Sequence, residues 1–245
     1  MKLTVIGYWG GFPAPESATS CYLLEKDDFT LMIDAGSGAL SRLQKYKNVL
    51  DIDALILSHY HHDHVADIGV LQYALLVQSY VVGRKDIVPI YAHTEDREGF
   101  ERLTHEYTEG VPYDSDGVLE IGPFSITFLR TKHPVPCYGM RITDGENVLV
   151  YTADTSFQEE WIKFSKEADL LITDCNFYAE QDGSKAGHMT SIDGATIAKE
   201  ANVKELLLSH LPQYGNTQDL VTQASTIFNG KIHLAQEGQT WRGRK

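Results

Sequence analysis

Four side chains that could bind metal ions stand within six residues of one segment of the chain. The segment, residues 57–64, reads LSHYHHDH and directly follows an apolar run. Imidazole and carboxylate groups suit a borderline ion such as zinc. His59 and His61 can converge on one ion, and Asp63 and His64, one turn further on, can face a second. A solvated His-rich tract is the alternative, but such tracts rarely follow a buried strand.

Three further candidates follow other strand-like runs. His133, Asp154 and His210 each come just after an apolar segment. Taken singly, each has an ordinary explanation as a hydrogen-bonded surface residue. Since loops at one edge of a sheet can meet, we predict that all of these residues converge. The predicted metal ligands are His59, His61, Asp63, His64, His133, Asp154 and His210.

The elements that must position these residues alternate between strands and helices. Predicted strands cover residues 3–6, 21–24, 30–33, 54–57, 88–92, 124–130, 138–142, 148–151, 170–173, 205–208 and 231–234. Predicted helices cover residues 67–80, 95–106, 159–167, 191–201 and 217–228. Strand-rich halves with helices outside predict an α+β fold, a four-layer αββα sandwich, over residues 1–245 as one domain. A fully wound parallel α/β sheet is the rival, weakened by the hairpin signal at residues 143–147.

Composition limits the classes of partner. The formal net charge of −13 disfavours extensive nucleic-acid binding, which usually needs a basic face. We find no secretory signal and no apolar run near the roughly 18 residues of a membrane span, so we expect a cytoplasmic protein with no membrane partner. The three cysteines are far apart in sequence and predict buried, reduced thiols rather than a disulfide framework.

The pattern H-x-H-x-D-H followed by His133, Asp154 and His210 resembles the metallo-β-lactamase superfamily. The resemblance runs from Gly7 to His210 and implies two zinc ions, with manganese as the alternative metal. It implies that His59, His61 and His133 bind one ion. It also implies that Asp63, His64 and His210 bind the second, with Asp154 bridging both. Asp34 would orient the histidine loop, although it could instead be a turn residue before Gly36.

Single residues distinguish the branches of that superfamily. The zinc β-lactamases place a cysteine where Asp154 stands, and flavodiiron-type members carry a glutamate in place of His61. The better resemblance is to the ribonuclease Z group, the tRNA 3′-end-processing endonucleases. It rests on the Gly-rich opening of residues 7–13 and on the loop GHMTSID at residues 187–193.

That resemblance implies three catalytic residues. Asp63 would orient a hydroxide that bridges the metals, and His188 would protonate the leaving group. Asp174 stands where the group has the acid that orients this histidine. His188 could instead be a helix-entry residue, and Asp174 could simply satisfy loop amides.

One departure from the group limits what carries over. Ribonuclease Z enzymes insert a basic tRNA-gripping arm between the ligands that match His133 and Asp154, which here are only 21 positions apart. We therefore expect a binuclear-zinc phosphodiesterase acting on a small molecule or an RNA end. The alternatives are a thioester or lactone hydrolase and a non-catalytic metal-binding protein. Relatives form dimers, and residues 67–80 are apolar enough to contribute to a homodimer contact.

Overall fold

The computed structural model describes residues 1–83 and 86–244. They form two compact units. The first contains Met1–Asp114 and Gln236–Arg242, and the second contains Ser115–Ala235 and Gly243–Lys245. That residues 1–245 act as one domain stays a prediction.

Each unit contains one seven-stranded sheet among the described residues. The strands of the first unit are β1 (Lys2–Gly7), β2 (Cys21–Lys26), β3 (Phe29–Ile33), β4 (Ala54–Ile56), β5 (Val88–Ala92), β6 (Thr108–Pro112) and, last in the chain, β14 (Thr240–Arg242). The strands of the second unit are β7 (Leu119–Ile121), β8 (Phe124–Arg130), β9 (Tyr138–Thr143), β10 (Val148–Tyr151), β11 (Leu170–Asp174), β12 (Glu205–Ser209) and β13 (Lys231–Leu234). Both sheets are mixed, which excludes the rival fully parallel sheet.

The order of strands separates an antiparallel half from a parallel half in each sheet. In the first sheet, β14-β1-β2-β3 is antiparallel and β3-β4-β5-β6 is parallel. In the second, β13-β12-β11-β10 is parallel and β10-β9-β8-β7 is antiparallel. The parallel strands β4 and β11 are buried along their whole length, whereas β8 alternates between buried and partly exposed residues. A strand that is buried on both faces of a parallel sheet has a continuous apolar sequence. An antiparallel strand with one exposed face alternates between apolar and polar residues.

Helices accompany both sheets, as predicted. They are α1 (Ala39–Leu43), α2 (His62–Val65), α3 (Ile68–Val82) and α4 (Arg97–Glu101) in the first unit, and α5 (Glu160–Phe164), α6 (Ser191–Glu200) and α7 (Gln218–Ser225) in the second. The inner face of α3 packs Ile68, Leu71 and Leu75 into the apolar core of the first unit. Thr190 caps α6 through a reciprocal capping box with Asp193. The α+β class with two helix-flanked sheets is confirmed.

The prediction that the chain has no membrane partner can be compared with the apolar stretch around α3. One stretch, His62–Val82, is long and apolar enough by length and composition to cross a membrane, and it includes α2 and the core-packed α3. The predicted absence of a membrane partner and the cytoplasmic location therefore stay predictions.

The three cysteines are free and buried, as predicted, and burial raises the pKa of the Cys21 and Cys175 thiols.

Candidate metal centre

In the first unit, two neighbouring parallel strands deliver the histidine loop and its support. Strands β3 and β4 pair in register, with Ile33 opposite Ile56. Asp34 directly follows Ile33, and Ser58 comes two residues after Ile56, so both lie at the carboxyl edge of the sheet. Asp34 is fully buried and accepts hydrogen bonds from the Ser58 amide at 2.8 Å and the Ser58 hydroxyl at 2.9 Å. Asp34 also has a left-handed backbone, with φ of 56°.

The Asp34 carboxylate determines which ring nitrogen carries the proton in two predicted ligands, His64 and His59. The His64 Nδ1 lies 2.8 Å from Asp34 Oδ2, and because a carboxylate only accepts, Nδ1 carries the proton. The Ser58 hydroxyl gives its single proton to Asp34, so it accepts from His59 Nδ1 at 3.0 Å. Both rings are thus held with the lone pair on Nε2. Asp34 contacts the histidine loop, as the resemblance implied.

The other two members of the loop lie beside these rings. The His59 ring centroid lies 4.8 Å from that of His61 and 4.2 Å from that of His64. Asp63 Oδ2 lies 3.7 Å from His64 Nε2 and accepts a 2.7 Å hydrogen bond from the Gly11 amide. The first unit therefore brings together His59, His61, Asp63 and His64, with Asp63 held by the Gly-rich loop near the chain's beginning.

In the second unit, parallel strands again collect the candidates at one edge. Strands β10, β11 and β12 are neighbours, with Tyr151 opposite Ile172 and Asp174 opposite Ser209. Asp154 and His210 follow the ends of β10 and β12, and Asp174 ends β11. In open α/β sheets, ligand-binding groups lie in the same way beyond the carboxyl ends of the parallel strands.

The geometry around Asp154 matches a shared ligand. Its Oδ2 lies 3.3 Å from His210 Nε2 and 3.9 Å from His133 Nε2. His133 Nδ1 donates to the Gly187 carbonyl at 3.0 Å, so the lone pair of this ring is also on Nε2. His210 has a left-handed φ of 52°, an uncommon conformation that in a residue other than glycine often marks a functional site.

His188 and Asp174 form a pair next to this cluster. His188 Nδ1 lies 2.7 Å from Asp174 Oδ2, and the His188 ring stacks on His210 with centroids 5.0 Å apart. Burial favours a neutral carboxyl, but His188 and His210 outweigh it and lower the pKa of Asp174. Burial likewise opposes the charged imidazole, yet Asp174 raises the pKa of His188. Asp174 also accepts from the amides of Thr155 and Asn176, so its two proposed roles coexist.

The donor set fits zinc. Each unit presents imidazole nitrogens whose other ring nitrogen is hydrogen-bonded, which is the usual arrangement of metal-binding histidines. In the second unit, ligand atoms of Asp154, Asp174, His188 and His210 all lie within 4.8 Å of one another. Buried carboxylates need a compensating positive charge. Which of these residues bind metal stays a prediction.

Sequence reasoning missed the supporting roles of Ser58, Gly187 and Gly11, the last of which donates to Asp63. Ser58 donates a hydrogen bond to Asp34 and accepts one from His59, so it links the two side chains. The Gly187 carbonyl accepts a hydrogen bond from His133. Gly187 has φ of 81°, and a Cβ there would lie 2.8 Å from His133 Nδ1. The sequence signal for Ser58 was its place between a strand and the first histidine.

Comparison with known proteins agrees with this geometry. Residues 14–210 match the family model described as Metallo-beta-lactamase superfamily. The chain is 53% identical over 244 residues to the probable metallo-hydrolase YhfI of Bacillus subtilis, covering 99% of this chain and 100% of that protein. The crystal structure of YhfI matches with a TM-score of 0.98 over 99% of both chains.

More distant matches include proteins named ribonuclease Z and tRNase Z. A ribonuclease Z of Metallosphaera sedula is 26% identical over 283 residues, covering 93% of this chain and 94% of that one. The short form of human tRNase Z shares the fold, with a TM-score of 0.79, 20% identity and 99% coverage of both chains. The family match spans most of the chain, and the chain therefore belongs to the metallo-β-lactamase superfamily.

Proposed function

We propose that this chain is a binuclear-zinc phosphodiesterase that cleaves small phosphodiesters. The observation that carries the proposal is the His188–Asp174 pair beside Asp154 and His210. A thioester releases a thiolate, which leaves with little help, whereas an alkoxide leaving from phosphorus needs a proton. A partly buried imidazole held at Nδ1 by a buried carboxylate is a suitable donor.

We assign the ligands to two ions. His59, His61 and His133 would hold one, and Asp63, His64 and His210 would hold the other. Asp154 would bridge them. The arrangement within each unit and the family membership support this assignment, and manganese remains the alternative metal.

Individual residues of the chain would have different roles in the reaction. Bound zinc ions would lower the pKa of a water nucleophile towards neutrality and stabilise charge on the phosphoryl oxygens. Asp63, fixed by the Gly11 amide, would orient the attacking water. Asp174 accepts from Nδ1 and raises the pKa of His188, so it favours the imidazolium form, which would carry a second proton on Nε2 and deliver it to the departing oxygen. Asp174 would keep the ring in that orientation.

The substrate class follows from what the second unit lacks. Residues 134–153 are all described and contain only β9, β10 and their turn, so no arm lies between His133 and Asp154. The net charge of −13 also opposes a long polyanion. We therefore propose a small phosphodiester, such as a cyclic or dinucleotide ester, in preference to tRNA.

A substrate panel tests the proposal. Protein purified without chelator would be analysed for zinc and manganese, then assayed on bis(p-nitrophenyl) phosphate, cyclic nucleotides, a tRNA precursor, thioesters and homoserine lactones. We expect about two metal ions per chain and turnover of the small phosphodiesters. Turnover confined to thioesters or lactones would overturn the phosphodiesterase proposal, and absence of bound metal would overturn the binuclear site.

A further inference from the structure

A pocket opens beside His188, within the second unit. It has a volume of about 400 Å³, which is in the range of small-molecule sites, and His188 is one of its lining residues. Parts of the segment 179–184 form one wall, and Phe157, between β10 and α5, forms another. Because His188 is the proposed proton donor, the pocket lies where the group that carries the departing oxygen would bind.

Contacts within the second unit hold the walls of this pocket in place. The Ala179 amide donates to Gln223 of α7 at 3.0 Å, and the Gly183 carbonyl accepts from the His188 amide at 3.1 Å. A Cβ on Gly183 would lie 2.6 Å from Cδ2 of Phe177, so the loop is closely packed there. The pocket is therefore preformed, as most small-molecule sites are.

Gln181 offers the pocket a hydrogen-bond donor. Its Oε1 accepts from the Tyr178 amide at 2.8 Å and from the Tyr214 hydroxyl at 3.1 Å. Since a backbone amide can only donate, these contacts determine which end of the side-chain amide is oxygen. Among the residues that the structure describes, Gln181 Nε2 has no hydrogen-bond partner. Nε2 is available to donate to a ligand.

Asp193 offers an acceptor. Its Oδ2 accepts from the Thr190 amide at 2.9 Å and from the Thr190 hydroxyl at 2.8 Å, in the capping box of α6. Its Oδ1 has no hydrogen-bond partner in the described part of the chain. Exposed Asp182 adds a second carboxylate, and none of the described residues that line the pocket is Lys or Arg. The lining therefore suits a ligand with N–H donors and disfavours a second phosphate.

Phe157 supplies a flat apolar surface. It is partly exposed, and its ring contacts no other aromatic ring among the described residues. Aromatic side chains of this kind stack with the bases of nucleic acids, whatever the base. A flat ring with donors and acceptors on its edge matches Phe157, Asp193 and Gln181 together, and a nucleobase is such a ring.

We propose that this pocket binds the nucleoside that carries the leaving oxygen, with the base stacked on Phe157 and its amino group donating to Asp193. The inference rests on the proposed function. The bond from phosphorus to that oxygen breaks as the water oxygen bonds to phosphorus, and the proton from His188 makes the departing oxygen a hydroxyl group. Gln181 Nε2 would donate to a ring nitrogen. Adenine and cytosine carry the required amino group, and hypoxanthine and uracil have a carbonyl oxygen in its place.

A quaternary ammonium group, as in a choline ester, fits less well. The Phe157 ring and two carboxylates would attract a cation. Such a group has no acceptor for Gln181 Nε2, however, and only one aromatic ring lines the pocket beside the His188 imidazole among the described residues. The mixed donor and acceptor lining favours the nucleoside.

Calorimetric titration of the whole protein with uncharged nucleosides tests the pocket without any turnover. We expect adenosine to bind more tightly than inosine, and cytidine more tightly than uridine. Phe157→Ala should weaken adenosine binding by about 5–150-fold, the range for loss of one stacking contact. The matched control is Phe164→Ala, which removes another partly exposed ring of the second unit, one that contacts Trp161, and should leave adenosine binding unchanged.

A second variant tests the contact with the base. Asp193→Asn keeps an oxygen for the two Thr190 donors but replaces Oδ1 by an amide NH₂. Its preference should therefore change from adenosine towards inosine, which a merely structural role of Asp193 would not produce. Melting temperatures of all variants show that each protein is folded.

The outcomes separate this inference from the proposed function. Equal binding of adenosine and inosine by the wild type, or adenosine binding that Phe157→Ala leaves unchanged, would overturn the inference even if small phosphodiesters are turned over. Binding of choline but not of adenosine, lost in Phe157→Ala, would assign the pocket to a cation. Turnover confined to thioesters, with adenosine bound as expected, would overturn the proposed function and the leaving-group role but not the nucleoside site.

Discussion

The role of each candidate histidine depends on which ring nitrogen carries the proton. His64 and His133 donate through Nδ1 to Asp34 and to the Gly187 carbonyl, so both present Nε2 as a ligand atom. His188 also donates through Nδ1, to Asp174, but we assign its Nε2 to substrate. The same hydrogen bond at Nδ1 would therefore serve metal binding at His64 and His133 and proton transfer at His188.

Substitution of His188 separates these two uses. His188→Ala should lower kcat by about 10²–10⁴-fold on a phosphodiester with an alkyl leaving group, because the proton donor is lost. The loss should be much smaller with p-nitrophenolate, which leaves without a proton, and the metal content should stay unchanged. Steady-state kinetics on both substrates, with metal analysis of the same samples, measures this.

Two further variants control that result. Asp154→Ala should lose metal as well as activity, since we assign Asp154 to both ions. His233→Ala removes another histidine of the second unit, one bonded to Glu205, and should leave kcat unchanged. Equal losses of kcat for His188→Ala on both leaving groups would argue against a proton donor.

A glycine supplies the second test at this scale. Gly187→Ala should weaken zinc binding by about 10–100-fold, as expected when the residue that orients a ligand is disturbed. The added Cβ would lie 2.6 Å from Pro134 Cδ and 2.8 Å from His133 Nδ1, so the His133 ring must move. Zinc titration with a competing chelator measures the change.

The matched control for Gly187 lies in the same unit. Gly145 has φ of 86°, but a Cβ there meets nothing within 4 Å. Gly145→Ala therefore imposes the same backbone strain without the collision, and its zinc affinity should equal that of the wild type. If both variants bind zinc as the wild type does, the carbonyl of Gly187 does not position His133.

Local patterns predicted most of the helices and strands, because interior strands are continuous or alternating apolar runs. Strands β5, β8, β10 and β13 have the predicted bounds. The edge strands β6, β7 and β14 were not predicted, since they are only three to five residues long and too short to show a clear apolar pattern. The predicted helix at residues 95–106 is only Arg97–Glu101, because the chain turns at residues 102–103 and again at 106–107 before it enters β6.

An ion-pair network ties elements of the first sheet together and gives a pH-dependent prediction. Glu25 on β2 pairs with Lys2 on β1 at 2.6 Å and with Lys47 at 3.0 Å. Burial would raise the pKa of Glu25, but the two lysines outweigh it and lower the pKa. A lowered folded pKa contributes stability above the unfolded value, and that contribution is lost as pH falls through the folded pKa.

Glu25→Gln should therefore lower the free energy of unfolding at neutral pH by about 0.2–1 kcal/mol, the range for partly exposed ion pairs. Below the ordinary glutamate pKa the difference from wild type should shrink towards zero. Urea unfolding at pH 7 and in acid measures it, with exposed Glu106→Gln as the control. A difference that stays constant down to the acid limit would show that charge is not its cause.

For the whole molecule, the sequence indicated candidate ligands but not the groups that hold them in place. The seven candidates could be proposed because each follows a strand, and strand ends are readable from local composition. Ser58, Gly11 and Gly187 could not, because their partners are 24, 52 and 54 residues away and only the folded chain brings them together. Long-range contacts of single backbone groups leave no periodic signal.

The last prediction concerns the stability of the whole chain without metal. Asp34, Asp154 and Asp174 are almost fully buried in a molecule with a net charge of −13, so removal of bound cations should destabilise it. After chelation, zinc at 100 times its dissociation constant should restore about 2.7 kcal/mol for each bound ion, which raises the melting temperature by about 5–10 °C per ion. Magnesium prefers oxygen ligands, so at equal ionic strength it should restore much less stability than zinc. The comparison separates metal coordination from screening of the negative charge.

Asp154→Asn should lose most of the zinc-dependent shift in melting temperature, measured by scanning calorimetry. A wild-type melting temperature that responds equally to both cations would show that the buried groups respond to ionic screening and that no coordinated metal contributes to stability.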